Sequence, residues 1–290
     1  MNLLRDAIEQ LSGIEAGDAR LEAETLLMHA LGVDRTAWRR QGASAELSGD
    51  ARARFEAMLA RRLAREPLDY IVGTKPFCEI EVEVGPGALI PRNDTESLVE
   101  QVTAWASRRE RSDRTDRIDH IDLIDVGTGS GAIVCALLER FPHWRAIGID
   151  WSPQALLWAE RTGRRNGVAS RIAWMCGDLL AGVQEEMATI VVANLPYVCD
   201  GERESLDPEV RDHEPPEALF GGADGLALVR RLVPQAATVV APTGLLALEL
   251  SSEQVPVVTD WLTRDVRFEG VRAYRDLAGR PRGVLAERAR

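Results

Sequence analysis

The chain has 290 residues, 45% hydrophobic and 28% charged, with 46 acidic against 35 basic side chains and a formal net charge of −11. That is the composition of a globular protein long enough for one large domain or two smaller ones, and no apolar run approaches the roughly 20 residues that span a bilayer. The acidic balance counts against a nucleic-acid substrate, whose phosphates are normally met by a basic face.

From Met1 to about Glu66 the pattern is helical. Leu3, Leu4, Ile8 and Leu11 recur at helical spacing, and so do Leu21, Ala23, Leu26, Leu27, Ala30 and Leu31. Asp18 is the expected N-cap and Gly32 the expected C-cap of the second helix. A third is expected from Ser48 through Phe55 and Leu63, ended by Pro67. The N-terminus lacks the basic and apolar regions of a secretory signal, so a cytoplasmic location is expected.

Glu79–Val84 alternates acidic and apolar residues, as a strand with one buried face does, and Gly85-Pro86-Gly87 forces a turn. A hairpin here is expected to join the helical part to the rest of the chain. Asp94 or Thr95 is the expected cap of a helix reaching about Ala106, and 107–120, rich in Arg, Asp and Ser, is expected to be a solvated loop.

From Ile121 onward strands alternate with helices. Strands are expected at 121–126, 146–150, 172–176, 188–193 and 244–250, with two more near 268–274 and 283–287. This alternation predicts a mainly parallel sheet covered on both faces. Cys78, Cys135, Cys176 and Cys199 form no C-x-x-C pair and have no histidine at ligand spacing, so no metal is expected.

Asp125-Val126-Gly127-Thr128-Gly129-Ser130-Gly131 stands where a strand passes into a helix, the place where open α/β sheets bind ligands. A dinucleotide site calls for G-x-G-x-x-G with a pyrophosphate on the helix start. Here the spacing is G-x-G-x-G and an acid precedes it, which suits the sulfonium and ammonium charges of S-adenosylmethionine. Asp150 ends the next strand, where an acid bonds ribose hydroxyls, and Asp178, beside Leu179, follows the third and is expected to reach the adenine amino group.

The apolar strand 190–193 runs into Asn194-Leu195-Pro196-Tyr197. A planar nitrogen is a poor nucleophile because its lone pair is delocalised. Two acceptors, the Asn194 side-chain oxygen and the carbonyl of Leu195, would hold its N–H bonds and aim it at a methyl donor. Tyr197 would stack on the planar group, and catalysis would come chiefly from proximity and orientation.

Asn194-Leu195-Pro196-Tyr197 resembles the N-P-P-Y motif of methyltransferases that act on exocyclic or amide nitrogens. With Asp125–Gly131 it is similar to the glutamine methyltransferases that modify the Gly-Gly-Gln loop of peptide chain release factors (PrmC, also called HemK). Arg65–Gly73 with Phe77, Leu89–Glu96, Glu214–Leu226 and Asp276–Arg282 resemble further signatures of that family.

The resemblance implies a small helical domain at 1–66, a connecting hairpin at 67–92 and a methyltransferase domain at 93–290. The last would be a Rossmann-like class I domain with a mainly parallel seven-stranded sheet and a C-terminal antiparallel hairpin. It implies that Asp125, Gly127, Thr128, Gly129, Ser130, Gly131, Asp150, Asp178, Leu179 and Asn194 hold S-adenosylmethionine. Asn194, Leu195, Pro196 and Tyr197 would hold the substrate glutamine, with Asn194, Pro196 and Tyr197 catalytic. A release factor is the implied partner, a ribosomal-protein glutamine or a nucleic-acid adenine the alternatives, and a monomer the expected state. Leu195 departs from the family, which has proline there; leucine keeps the backbone carbonyl and Pro196 keeps its neighbour extended, so activity is expected to survive.

Overall fold

The computed structural model describes residues 3–14, 17–41, 48–109 and 121–290. Two compact units divide the chain, one of Met1–Thr74 with Asp207–His213, the other of Lys75–Leu206 with Glu214–Arg290.

The first unit holds helices α1 (Leu3–Ser12), α2 (Ala19–Leu31), α3 (Arg35–Gln41), α4 (Gly49–Leu63) and α5 (Leu68–Val72). The Asp18 carboxylate accepts from the N–H groups of Arg20 and Leu21 at 3.0 and 3.1 Å, and Gly32 ends α2 with a φ of 65°. The Ser48 hydroxyl accepts from the Ala51 N–H at 3.2 Å at the start of α4. Helices α3 and α5 go beyond the sequence expectation, being too short to show a hydrophobic period. Leu11, Leu26, Phe55 and Ile71 are among the core residues. Arg62 is buried there, and a buried guanidinium must be paired; Glu22 binds it at 2.8 Å and Glu209, on the short helix Pro208–His213, at 2.9 Å.

In the second unit β1 (Thr74–Phe77) and β2 (Ile80–Glu83) form a hairpin with Ile80 and Val82 turned inward. The chain then passes through a 3-10 turn at Asn93–Thr95 into α6 (Glu96–Arg109). The helix takes in Ser107–Arg109 of the expected loop; 110–120 lie outside the described residues. Asp94 and Thr95 do not serve as the expected caps: Asp94 pairs with Arg280 and Arg282, and Thr95 turns to Asn194.

There follow β3 (Ile121–Val126), α7 (Ala132–Arg140), β4 (Ala146–Asp150), α8 (Pro153–Arg165), β5 (Ile172–Cys176) and β6 (Ala188–Asn194). Helix α8 covers the hairpin: Thr162 Oγ1 accepts from the Glu83 N–H at 3.0 Å, and Trp158 Nε1 donates to the Pro86 carbonyl at 3.1 Å. After the helix at Pro208–His213 (α9) come α10 (Ala227–Val239), β7 (Val240–Glu249), α11 (Gln254–Arg264), β8 (Phe268–Arg275) and β9 (Pro281–Arg288).

The seven strands stand in the order β5-β4-β3-β6-β7-β9-β8, parallel from β5 to β7, with β9 antiparallel to both its neighbours. Strand order reverses at β3, which lies between β4 and β6, and the crevice beyond the carboxyl ends there is where such sheets bind ligands. Among the described residues no helix is long and apolar enough to cross a membrane.

Candidate functional site

Strand β3 delivers the glycine loop. Gly127, Gly129 and Gly131 have φ of 70°, 56° and 79°, a region that favours glycine. Two of them also sit against neighbours: a Cβ on Gly127 would lie 3.0 Å from Leu195 Cδ2, and one on Gly131 would lie 3.1 Å from Ala159 Cα. Beneath the loop Asp125 is wholly buried. Its Oδ2 accepts from the Thr128 hydroxyl at 2.7 Å and the Val134 N–H at 3.3 Å. Burial pushes this carboxyl up to about 7, against the pull of those two donors.

Asp150, at the end of β4, is nearly buried and reaches across to the loop: one oxygen accepts from the Gly129 N–H at 2.8 Å, the other from the Ser152 N–H at 2.9 Å. Its carboxyl is raised by burial, with those N–H groups opposing. Asp178, beyond β5, forms an exposed ion pair with Arg231, and Leu179 beside it takes a φ of 55°. At the end of β6, Asn194 Nδ2 donates to Thr95 Oγ1 at 3.1 Å.

These strand ends enclose a cavity of about 540 Å³. Of the expected residues, Gly127, Thr128, Gly129, Ser130, Asp150, Asp178, Leu179, Asn194, Leu195 and Pro196 line it, whereas Asp125, Gly131 and Tyr197 are not part of its wall. Asp125 braces the loop from below rather than facing the cavity, and Gly131 is the closely packed start of α7. Tyr197 is half-buried, its hydroxyl pushed up by burial and by Glu249, and its carbonyl accepts from Gln254 Nε2 at 2.9 Å.

The structure adds Trp151 and Glu249, which sequence reasoning missed, and shows what Gly221 and Gly225 of the Glu214–Leu226 signature touch. Trp151, 64% exposed, stands in the wall beside Asp150; its signal was an apolar side chain between a strand-end acid and a helix cap. Gly221 and Gly225 press on the target turn: a Cβ would fall 2.2 Å from the Pro196 carbonyl oxygen at the first and 2.0 Å from that of Tyr197 at the second. Behind Asn194 lies Glu249, its partner in the β6–β7 register and 2% exposed. Nothing local in the sequence marks these contacts.

A family model for a methyltransferase domain matches residues 123–213, and one for the PrmC N-terminal domain matches residues 2–73. The chain is similar to a methyltransferase structure from Pyrococcus furiosus, with a TM-score of 0.51, 15% identity, and coverage of 81% of this chain and 100% of that one. At that identity the likeness shows the fold, which is the class I methyltransferase fold. Release factor glutamine methyltransferases are closer in sequence. That of Mycolicibacterium smegmatis is 37% identical over 99% of this chain and 99% of its own length, and that of Moorella thermoacetica is 37% identical over 98% and 97%. The chain belongs to the release factor glutamine methyltransferase family.

Proposed function

We propose that this chain transfers a methyl group from S-adenosylmethionine to the side-chain amide nitrogen of the glutamine in the Gly-Gly-Gln loop of a release factor. The observation that carries this reading is the standing of Asn194, with an acceptor to offer, in the wall of the cavity that the glycine loop and Asp150 also line.

The cofactor fits the residues present. A pyrophosphate would need the loop N–H groups, yet those of Gly127 and Thr128 go to the Ile149 carbonyl, that of Gly129 to Asp150 and that of Gly131 to the Thr128 carbonyl. The basic side chains of the wall, Arg92 and Arg231, are engaged by Glu214 and Asp178. A cationic nucleoside suits such a lining, and a phosphate does not. The Asp150 carboxylate accepts from the Gly129 and Ser152 N–H groups and has lone-pair capacity left for a ribose hydroxyl. Trp151 offers an aromatic face next to it. Bound there, S-adenosylmethionine supplies an activated methyl group.

The protein's part is to place the acceptor. With Asn194 Nδ2 held by Thr95, its Oδ1 is left for one N–H of the target amide, and the Leu195 carbonyl is the acceptor for the other. Holding both N–H bonds turns the nitrogen toward the donor, and orientation of this kind is worth several powers of ten in rate. Leu195 keeps the carbonyl and adds packing: its side chain is 5% exposed and abuts Gly127. The names of the relatives support a release factor as substrate. The Asn194→Ala variant is expected to transfer methyl groups to a release factor about 10²-fold more slowly or worse; unimpaired transfer would remove Asn194 from the site.

A further inference from the structure

Helix α10 holds the stretch between β5 and β6 at three points. Arg231 pairs with Asp178, Gln235 Oε1 accepts from the Leu180 N–H at 2.8 Å, and the Thr238 carbonyl accepts from the Glu186 N–H at 2.9 Å. Successive steps of four and three residues put these three on one face of the helix. Asp178 and Leu179, at the start of the stretch, stand in the cavity wall together with Ala227, Leu228 and Arg231 of the helix.

Leu179 has a φ of 55°, a region that leucine rarely enters and keeps only where its surroundings hold it. The local turn, closed by the Ala181 N–H on the Asp178 carbonyl at 3.1 Å, is one constraint. The Arg231–Asp178 pair is about half exposed on both sides, where ion pairs contribute little. The Gln235 bond is better protected: it falls on the residue next to Leu179, and Leu180 is only 2% exposed.

We propose that Gln235 is a positioning residue for the base of S-adenosylmethionine, holding the Asp178–Leu179 wall in its binding form through the Leu180 N–H. This rests on the cofactor site proposed above. Without the acceptor, the Leu180 N–H becomes a buried donor with nothing to satisfy it. The segment relieves that cost, and the left-handed strain at Leu179, by leaving its position. A wall in its binding form only part of the time lowers the affinity by that fraction. The turn after β6 that aims the target nitrogen is a separate segment, so the transfer step at saturating cofactor should not change.

The test compares wild type with Gln235→Met, which keeps the length of the side chain without the acceptor, and Gln235→Glu, which keeps both. In hydrogen exchange on the full chain without cofactor, the Leu180 amide is expected to be protected in wild type and Gln235→Glu, and to exchange about 10-fold faster or more in Gln235→Met. Calorimetry with S-adenosylmethionine should show binding about 10-fold weaker in Gln235→Met and restored to within about threefold in Gln235→Glu. KM for S-adenosylmethionine should rise with it in methylation assays, while kcat and KM for a release factor stay as in wild type. Val239→Ala, a core truncation on the same helix, is expected to lower the melting temperature without weakening binding, which separates a local role from a general loss of stability. Wild-type affinity in Gln235→Met overturns the proposal, and so does equal weakening in Gln235→Glu or Val239→Ala. An unprotected Leu180 amide in wild type overturns it whether or not the variants fold. If Asp150→Ala weakens binding and Gln235→Met does not, the role of Gln235 alone is wrong; if neither does, the cofactor site itself is misplaced.

Discussion

Asp150 links strand and loop through a single side chain, and stands in the wall of the proposed cofactor site. Its two oxygens close the Gly129 and Ser152 N–H groups at 2.8 and 2.9 Å, which orders the glycine loop and the start of α8 before any cofactor arrives. Charge-assisted hydrogen bonds are worth about 1.5–3 kcal/mol each, so Asp150→Ala is expected to weaken S-adenosylmethionine binding by about 10²-fold in calorimetry. Unchanged affinity would place the cofactor elsewhere. At this scale Asp150 and Asn194 were legible in the sequence because each follows an apolar strand, and strand ends are where α/β sheets bind ligands. Asp125 was legible as present and not in its direction. Which face of β3 turns toward the cavity is decided by the strands on either side, and the carboxyl lies under the loop, tied to Thr128 and Val134. Tyr197 stands outside the cavity wall for a similar reason: its turn is set by Gln254 and the glycines packed on it, all distant in sequence.

Among the elements, the turn after β6 depends on the segment Leu219–Leu226. Val198 N–H donates to the Leu219 carbonyl and Gly221 N–H to that of Val198, both at 2.9 Å, which lays the two stretches side by side. Gly225, with a φ of 69°, approaches Tyr197 so closely that a Cβ has no room. Gly225→Ala is therefore expected to shift the Pro196–Tyr197 backbone, lower the melting temperature and slow transfer by about 10²-fold. A variant with wild-type kinetics would show that the turn tolerates displacement. Helix ends were legible because capping is local chemistry, as Asp18, Ser48 and Gly32 show. Helices α3, α5 and α9 were not, since five to seven residues carry no period. Helix α10 runs unbroken through Pro234, although proline cannot donate its share of the helical hydrogen bonds. There the burial of Leu232, Val233, Ala236 and Ala237 outweighs the backbone hydrogen bond that proline removes.

For the whole molecule, alternation of strands and helices was enough to expect a parallel sheet, because periodicity and connection length report the class of fold. The order of strands was not readable from it. That order depends on pairings between distant segments, and it is what puts β3 between β4 and β6 and so brings the glycine loop, Asp150 and Asn194 to one cavity. The most direct measurement incubates the full chain with isotopically labelled S-adenosylmethionine and, separately, a release factor, a ribosomal protein and DNA, and maps the label in the protein substrates by mass spectrometry of their peptides. A methyl group on the glutamine side chain of the Gly-Gly-Gln loop, transferred by an enzyme with Leu195 in its target motif, is the expected result. A release factor left unmodified, or label found on the ribosomal protein or the DNA instead, would contradict it.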